Sequence, residues 1–113
     1  MSEAPERGAL VRVSFTPQSG HEQSGYRPAL VISPKAYHER SKLAVVCPIT
    51  SNVQPWPWKV ILPDGLPVSG AILVDQVRAI DRTARNLRVV GPAPDEVVLE
   101  VQAKLAVLLG LDG

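Results

Sequence analysis

Short apolar segments separated by turn residues make up most of the chain, and their patterns predict a fold rich in β-structure. Residues 8–15 alternate between apolar and polar positions, as in a strand with one buried face. Residues 28–33 and 42–50 are continuous apolar runs, which are typical of central strands. Gly91 and Pro92 are expected to end the sheet. In all, strands are predicted at residues 8–15, 28–33, 42–50, 58–63, 71–80 and 86–90.

Two other segments predict helices. Residues 34–41 can form a short helix that begins at Pro34 or Lys35. In the last segment the apolar positions recur every three to four residues, at Val97, Val101, Leu105 and Leu108, and Val98 and Leu109 widen the stripe. Pro94 suits the first turn and Gly110 can end this helix. The pattern predicts an amphipathic C-terminal helix that packs on the sheet.

Length and composition indicate one small domain. The 113 residues suffice for one hydrophobic core, so a single domain over residues 1–113 is expected, with residues 1–7 flexible. Eleven prolines divide the chain into short segments, which suits a mainly β fold: a strongly bent antiparallel sheet or a partly open barrel. No signal peptide or membrane-spanning run is recognisable, so a soluble cytoplasmic protein with no membrane partner is expected.

The sequence does not indicate metal or cofactor chemistry. Its two histidines, His21 and His38, have no metal-ligand spacing, and a cysteine pair is absent. The single cysteine, Cys47, lies in an apolar run and is predicted to be a buried thiol rather than a nucleophile. We therefore expect neither a bound metal nor a cofactor.

Polar side chains that can take part in chemistry gather at strand ends and in loops. The net charge of +1 does not indicate a strongly basic nucleic-acid binder, although the arginines between residues 78 and 88 form either a phosphate-binding patch or a solvated face. Asp75 interrupts an apolar run, so it needs an arginine or loop amides as partners. The candidates are His21, Glu22, Gln23 and Arg27 in the first loop, Thr50, Ser51 and Asn52 after the third strand, and Asp75 and Gln76 within the fifth.

Three motifs in order along the chain resemble the MazF/PemK/Kid family of toxins. The first, GALVRVSFTPQSGHEQSGYRPALVIS, is similar to the family opening, in which G-x-E-Q-x-G-x-R-P precedes an apolar strand. The second, VVCPITSN, resembles the next family strand, which ends in P-x-T. The third, GAILVDQVRAIDRTAR, resembles a later strand that carries D-Q-x-R-x-I-D. The resemblance runs from Gly8 to about Gly110.

This resemblance implies a compact SH3-like β-barrel with helices, a homodimer, a cognate antitoxin, and ribosome-independent cleavage of single-stranded RNA. It implies that Arg27 is catalytic and that Thr50 contacts the phosphate. Glu22 and Gln23 match loop positions beside the scissile bond, and His21 and Asp75 match residues with catalytic or RNA-contacting roles in the Kid branch. That branch has an arginine where this chain has Leu73. An Arg–Asp pair is therefore impossible there, and Arg27 must carry more of the charge stabilisation.

Cleavage of RNA needs few protein groups, because the substrate supplies its own 2′-OH nucleophile. The enzyme must remove that proton, stabilise charge at phosphorus and protonate the leaving 5′-oxygen. The planar guanidinium of Arg27 suits the charge role, and Pro28 restrains the backbone after it. Either His21 or Glu22 can be the base. Glu22 can instead simply neutralise Arg27, and Thr50 can be an ordinary hydrogen-bonding residue at a strand end.

The remaining candidates concern substrate binding. Trp56 and Trp58 are candidates for stacking on bases, and Tyr26, beside Arg27, is another. The alternative is that one or both tryptophans fill the core. Of Trp56 and Trp58, one is expected to be buried and one exposed. The predicted RNA-binding residues are Gln23, Tyr26, Ser51, Asn52, Trp56, Asp75, Gln76 and Arg78.

Two other functions stay open at the level of sequence. A toxin similar in fold to the CcdB gyrase poisons would grip a protein and would not need the Arg27 and Thr50 motifs. An inactive relative would keep only RNA or antitoxin binding.

Overall fold

The computed structural model describes residues 4–15 and 26–111. Within these residues the chain forms seven strands, one 3-10 turn and two α-helices. They are β1 (Ala9–Ser14), β2 (Tyr26–Val31), α1 (Lys35–His38), β3 (Leu43–Thr50), β4 (Lys59–Ile61), β5 (Ala71–Leu73), the 3-10 turn (Val74–Gln76), β6 (Arg78–Asp81), β7 (Arg88–Pro92) and α2 (Asp95–Leu108).

All strand pairings among these elements are antiparallel, and the strands form a bent sheet in the order β4-β5-β3-β2-β1-β7. β6 lies off this path and pairs with the first half of β3. β5 pairs with the last two residues of β3, Ile49 and Thr50. β3 therefore joins two parts of the sheet, and the predicted mainly β, strongly bent architecture is confirmed.

Two hydrophobic clusters fill the fold. On β2, Leu30 belongs to the cluster that includes Val97, Val101 and Leu105 of α2, whereas the alternating neighbours of Leu30 belong to the other cluster. Successive strand residues point to opposite sides of a sheet, so β2 is buried on both faces. This two-sided burial explains why its sequence is a continuous apolar run.

The predicted long strand at residues 71–80 is wrong. It divides into β5 and β6, and the 3-10 turn lies between them. The two halves pair with different parts of β3, so the chain has to shift along that strand between Ile72 and Arg78. The shift leaves Asp75 and Gln76 exposed on the turn. Asp75 therefore avoids the burial that its apolar neighbours suggested.

The last strand ends at Pro92, so the predicted end of the sheet is confirmed, but Gly91 and Pro92 still belong to β7, two residues beyond the predicted strand end at residue 90. β7 is the edge strand of the sheet, and its pairing with β1 shifts register between Leu10 and Val11. An edge position tolerates a proline, since the missing N–H can face away from the ladder.

The C-terminal helix is confirmed, with Pro94 at its N-terminal boundary. Val97, Val101 and Leu105 are buried as predicted. Leu108 and Leu109, expected in the same apolar stripe, are 37% and 59% exposed instead. The helix ends at Leu108, and beyond it Gly110 takes a φ of 73°. No helix in the described part of the chain is long and apolar enough to cross a membrane.

The segment before β1 is held to the domain from Ala4 onward. Pro5 is buried, and its carbonyl lies 2.8 Å from Nδ1 of the buried His38. The Val45 N–H donates to Ser33 Oγ, so the Ser33 hydroxyl can donate to His38 Nε2 at 2.6 Å. This assignment leaves the proton on Nδ1, which donates to Pro5. His38 is thus a core residue with satisfied hydrogen bonds.

The arginines after β6 hold neighbouring segments together. Arg82 donates to the carbonyls of His38 and Ser41 at 2.7 and 2.8 Å. Arg85 donates to the Phe15 carbonyl at 2.6 Å. Backbone N–H groups of this connection, first that of Ala84, hold the pKa of the Asp81 carboxyl below its ordinary value of 3.8. Arg82 and Arg85 therefore have structural roles, which neither a phosphate-binding patch nor a solvated face describes. For Arg78 and Arg88 both of those alternatives stay open.

Candidate active site

Two prolines stand where the ladder between β2 and β3 ends. The last paired residues are Ala29 and Pro48, and Pro28 precedes Ala29 on β2. Neither proline has an N–H to donate to the ladder. Beyond this point β3 pairs with β5 through Ile49 and Thr50. The two strands therefore stop pairing at the position where the predicted catalytic residues begin.

Arg27 and Thr50 lie on either side of this opening. Continuing the β2–β3 register by two residues brings Arg27 opposite Thr50. Because side chains alternate along a strand, both point to the face that carries Ala29 and Val46. Arg27 is exposed and lies opposite Val13 of β1, while Thr50 is half-buried. The sheet thus presents a guanidinium and a hydroxyl on one surface.

The hydroxyl of Thr50 has a defined hydrogen-bonding role. Its Oγ1 accepts a hydrogen bond from the Asn52 N–H at 3.1 Å. A hydroxyl that accepts from a backbone N–H keeps its own proton to donate. Asn52 Oδ1 accepts in turn from the Gln54 N–H at 3.0 Å, so the segment after β3 forms two successive side-chain turns. Ser51 and Asn52 are both exposed beside Thr50.

Apolar residues flank Thr50 on its other side. Across the sheet Thr50 faces Ala71 of β5, which faces Ile61 of β4. Along the same face, Leu73 and Lys59 lie opposite each other. Leu73 therefore borders the site, and the strand positions next to it supply aliphatic surface.

Asp75 and Trp56 form a hydrogen-bonded pair near the end of β3. The indole Nε1 of Trp56 donates to Asp75 Oδ2 at 3.2 Å. Among the described residues the hydrogen-bond partner of Asp75 is thus a tryptophan, which the sequence expectation of an arginine or loop amides did not include. Trp56 is 51% exposed, as expected for one tryptophan, but Trp58 is half-buried instead of buried. The hydrogen bond orients an exposed indole near the end of β3.

Other predicted binding residues lie around this centre. Arg78 of β6 is exposed, lies opposite Val46 and places its guanidinium 5.2 Å from the centroid of the Phe15 ring. It therefore shares the face of Arg27 and Thr50. Tyr26 is opposite Ser14 and points to the other face of β2, and its buried hydroxyl has no hydrogen-bond partner among the described residues. His21, Glu22 and Gln23 lie outside the described residues.

Lys59 is a site residue that sequence reasoning missed. Its Nζ donates to the carbonyls of Asn52 and Gln54 at 2.9 and 3.0 Å. A single lysine at the start of a strand carries no motif. The sequence offered one indication: Lys59 and Ile61 are two residues apart in β4, so their side chains lie on the same face of the sheet.

Cys47 is not equipped for nucleophilic chemistry. It is fully buried, and this burial raises the pKa of its thiol to about 12, with a further increase from the Asp75 carboxylate. At neutral pH the thiol is protonated and lacks the thiolate that attacks substrates. Separately, no cluster of three His, Cys, Asp or Glu residues suited to a metal ion occurs in the parts of the chain that the structure describes.

Comparison with known proteins agrees with the three sequence motifs. Residues 6–109 match the family described as the PemK-like, MazF-like toxin of type II toxin–antitoxin systems, and the chain belongs to this family. It is 38% identical over 107 residues to the endoribonuclease toxin MazF of Escherichia coli strain K12, covering 94% of this chain and 95% of that protein. It is 35% identical over 108 residues to the endoribonuclease PemK of Escherichia coli, covering 92% and 81%.

Solved structures of the family have the same fold. MazF of Deinococcus radiodurans superposes with a TM-score of 0.86 at 46% identity, covering 96% of this chain and 99% of that one. A chain of the MazE–MazF complex from the same organism gives a TM-score of 0.87 at 40% identity, covering 98% and 100%.

Because its pKa is raised to about 12, the Cys47 thiol should be inert in the native protein. We expect a thiol-specific chromogenic reagent at pH 8 to label Cys47 only after unfolding in denaturant. The absorbance change with and without denaturant measures this difference. Stoichiometric labelling of the folded protein within seconds would contradict the assigned burial and pKa.

Proposed function

We propose that this chain is a metal-independent endoribonuclease toxin that cuts single-stranded RNA at specific sequences without the ribosome. The observation that supports it most is the position of Arg27 and Thr50 on one face, at the point where β2 and β3 stop pairing. The names of the relatives point the same way, since MazF and PemK of Escherichia coli are both called endoribonucleases. An RNA substrate of this kind implies action in the cytoplasm.

Arg27 is proposed to stabilise the negative charge that develops on the scissile phosphate. A guanidinium can donate to two phosphate oxygens at once. Its backbone belongs to a strand that is paired with β1, so the group is held on a rigid element. Such fixed donors lower the barrier because they need little reorganisation during the reaction.

Thr50 is proposed to donate a hydrogen bond to a non-bridging oxygen of the same phosphate. Its Oγ1 already accepts from the Asn52 N–H, which leaves the hydroxyl proton for an anionic acceptor. The two groups together would fix the phosphorus centre for in-line attack by the 2′-OH.

A base must take the 2′-OH proton as that oxygen bonds to phosphorus, and an acid must protonate the 5′-oxygen as its bond breaks. His21 and Glu22 are the two candidates for the base. Attack by the 2′-oxygen and departure of the protonated 5′-oxygen give a 2′,3′-cyclic phosphate and a 5′-OH end. The step consumes no water and needs no metal ion.

The surface around this centre is proposed to bind the RNA strand. The indole of Trp56, oriented by Asp75, offers a stacking surface worth about 1–3 kcal/mol per base. Arg78 would contribute positive charge on the same face. Gln23, Ser51, Asn52 and Gln76 complete the proposed binding set, whereas Tyr26 is left out of it because its side chain points to the other face of β2.

A cognate antitoxin is the proposed protein partner. The similar chain from Deinococcus radiodurans was solved in a MazE–MazF complex. Because this chain belongs to a family of type II toxin–antitoxin systems, we propose that a companion protein neutralises it.

A homodimer is proposed on the basis of an exposed apolar patch at the end of α2. This C-terminal apolar patch consists of Val107, Leu108, Leu109 and Leu111, which are 54%, 37%, 59% and 74% exposed. Contiguous exposed apolar surface of this kind commonly marks a protein contact. No charged residue lies between Leu105 and Leu111 to oppose association.

The cleavage proposal is tested with purified protein, a long RNA and excess EDTA, followed by mapping of the new ends. Wild-type protein should give sequence-specific cuts with 5′-OH ends, and DNA should resist because it lacks the 2′-OH. Arg27→Ala and Thr50→Ala should each lower kcat/KM by about 100-fold or more, since each removes a donor to the transition state. The control Cys47→Ala should keep near wild-type activity.

Intact RNA with wild-type protein would refute the proposal, and inhibited DNA supercoiling in the same preparation would instead favour a CcdB-like toxin. A folded Cys47→Ala variant without activity would count against the assigned site.

The dimer proposal predicts that Leu109→Asp weakens self-association, because a charge would have to be buried in the interface. Sedimentation equilibrium should give a dimer mass for wild type and a monomer mass for the variant. Leu43→Gln alters a 39% exposed leucine on β3 and should stay dimeric. A monomeric wild type, or a variant that remains dimeric, would contradict the assigned patch.

A further inference from the structure

Lys59 lies beside the proposed catalytic site without belonging to any of the sequence motifs. It is the first residue of β4 and is half-buried, and its ammonium group donates to two carbonyls of the segment that follows Thr50. We propose that Lys59 is a positioning residue that orients the Thr50 hydroxyl for the reaction. This inference rests on the proposed endoribonuclease function.

A continuous chain of hydrogen bonds joins Lys59 to Thr50. Lys59 Nζ is 2.9 Å from the Asn52 carbonyl oxygen, and the Asn52 N–H is 3.1 Å from Thr50 Oγ1. A second branch runs from Lys59 Nζ to the Gln54 carbonyl at 3.0 Å, and the Gln54 N–H returns to Asn52 Oδ1 at 3.0 Å. Asn52, whose N–H donates to the Thr50 hydroxyl, is therefore also held through its own carbonyl and its side chain.

The first part of the segment depends on this clamp by Lys59, because the other side-chain hydrogen bonds between the segment and distant parts of the described chain hold its second part, at Trp56 and Pro57. Residues 51–57 are all exposed. Two carbonyls that converge on one point repel each other unless a cation or several donors lie between them, and an ammonium with three N–H groups supplies both. Lys59 itself is anchored, since its backbone N–H donates to Trp56 O at 3.0 Å and its strand pairs with Leu73.

The clamp should act on the chemical step more than on RNA binding. If the Asn52 N–H drifts away, Thr50 Oγ1 loses the hydrogen bond that commits its proton to the phosphate. The phosphate is then held less well in the transition state, and small errors in geometry slow such reactions strongly. A positioning role therefore lowers kcat and leaves KM nearly unchanged.

Lys104 provides a matched control. Its Nζ also donates to a carbonyl of the same loop, that of Pro57, at 2.6 Å. It does not touch the chain of bonds that leads to Thr50. Lys59→Met and Lys104→Met each remove one positive charge and hydrogen bonds to carbonyls of the loop. An effect seen only in Lys59→Met is therefore due to the orientation of Thr50, and not to general ordering of the loop or to loss of net charge.

Two measurements test the proposal. In steady-state cleavage of a short single-stranded RNA containing the mapped site, Lys59→Met should lower kcat by about 10- to 100-fold with KM within about twofold. Lys104→Met should stay within about twofold of wild type in both. In NMR-detected hydrogen exchange without RNA, the Asn52 amide should lose protection in Lys59→Met and retain it in Lys104→Met, with the other sheet amides unchanged.

The proposal is overturned if Lys59→Met leaves kcat unchanged, or if Lys104→Met loses as much. It is also overturned if Lys59→Met raises KM at constant kcat and reduces the slope of log KM against log salt by about 0.7, as expected for a direct phosphate contact. Unchanged Asn52 exchange in Lys59→Met overturns it independently of activity. A wild type that cleaves no RNA but shows the expected exchange pattern would refute the function and leave the clamp intact.

Discussion

The arrangement of the site depends on the point at which β2 and β3 stop hydrogen bonding. Pro28 and Pro48 remove backbone donors there, and β3 continues as a partner of β5 instead. The two strands remain in register up to this point, which fixes Arg27 opposite Thr50. The presence of a guanidinium and a hydroxyl on one face, on either side of this opening, follows from backbone pairing alone.

The rest of the fold holds the two strands around this opening in place. Both faces of β2 and β3 are buried, one against the cluster that includes α2 and the other against the cluster of β1 and β6. Close-packed interiors deform little, so the strands that carry Arg27 and Thr50 cannot rotate independently. The exposed parts of the site are held by specific hydrogen bonds instead: Asp75 orients Trp56, and Lys59 restrains the segment after Thr50.

The sequence patterns predicted those elements whose formation depends on burial of a whole strand or helix face. The continuous apolar runs of β2 and β3 and the helical period of α2 reflect burial of whole faces, so their existence could be read from the chain. The division between β5 and β6 could not, because an apolar run does not reveal a change of pairing partner. That Gly91 and Pro92 lie inside β7 could not be predicted either, because an edge position depends on the topology of the whole sheet. The motifs indicated Arg27 and Thr50, but their register and the Trp56–Asp75 bond join residues that are distant in sequence. The Lys59 contacts are local, but a single lysine carries no motif that would reveal them.

The central claim is that Arg27 and Thr50 grip one phosphate together. A double-mutant cycle measures this directly, using kcat/KM for cleavage of a short target RNA, because both groups are proposed to hold the phosphate in the transition state. If both groups hold the same phosphate, Arg27→Ala and Thr50→Ala should be coupled by about 0.5–3 kcal/mol, so that the double variant loses less than the two single losses combined. Strict additivity of the two losses would contradict the account.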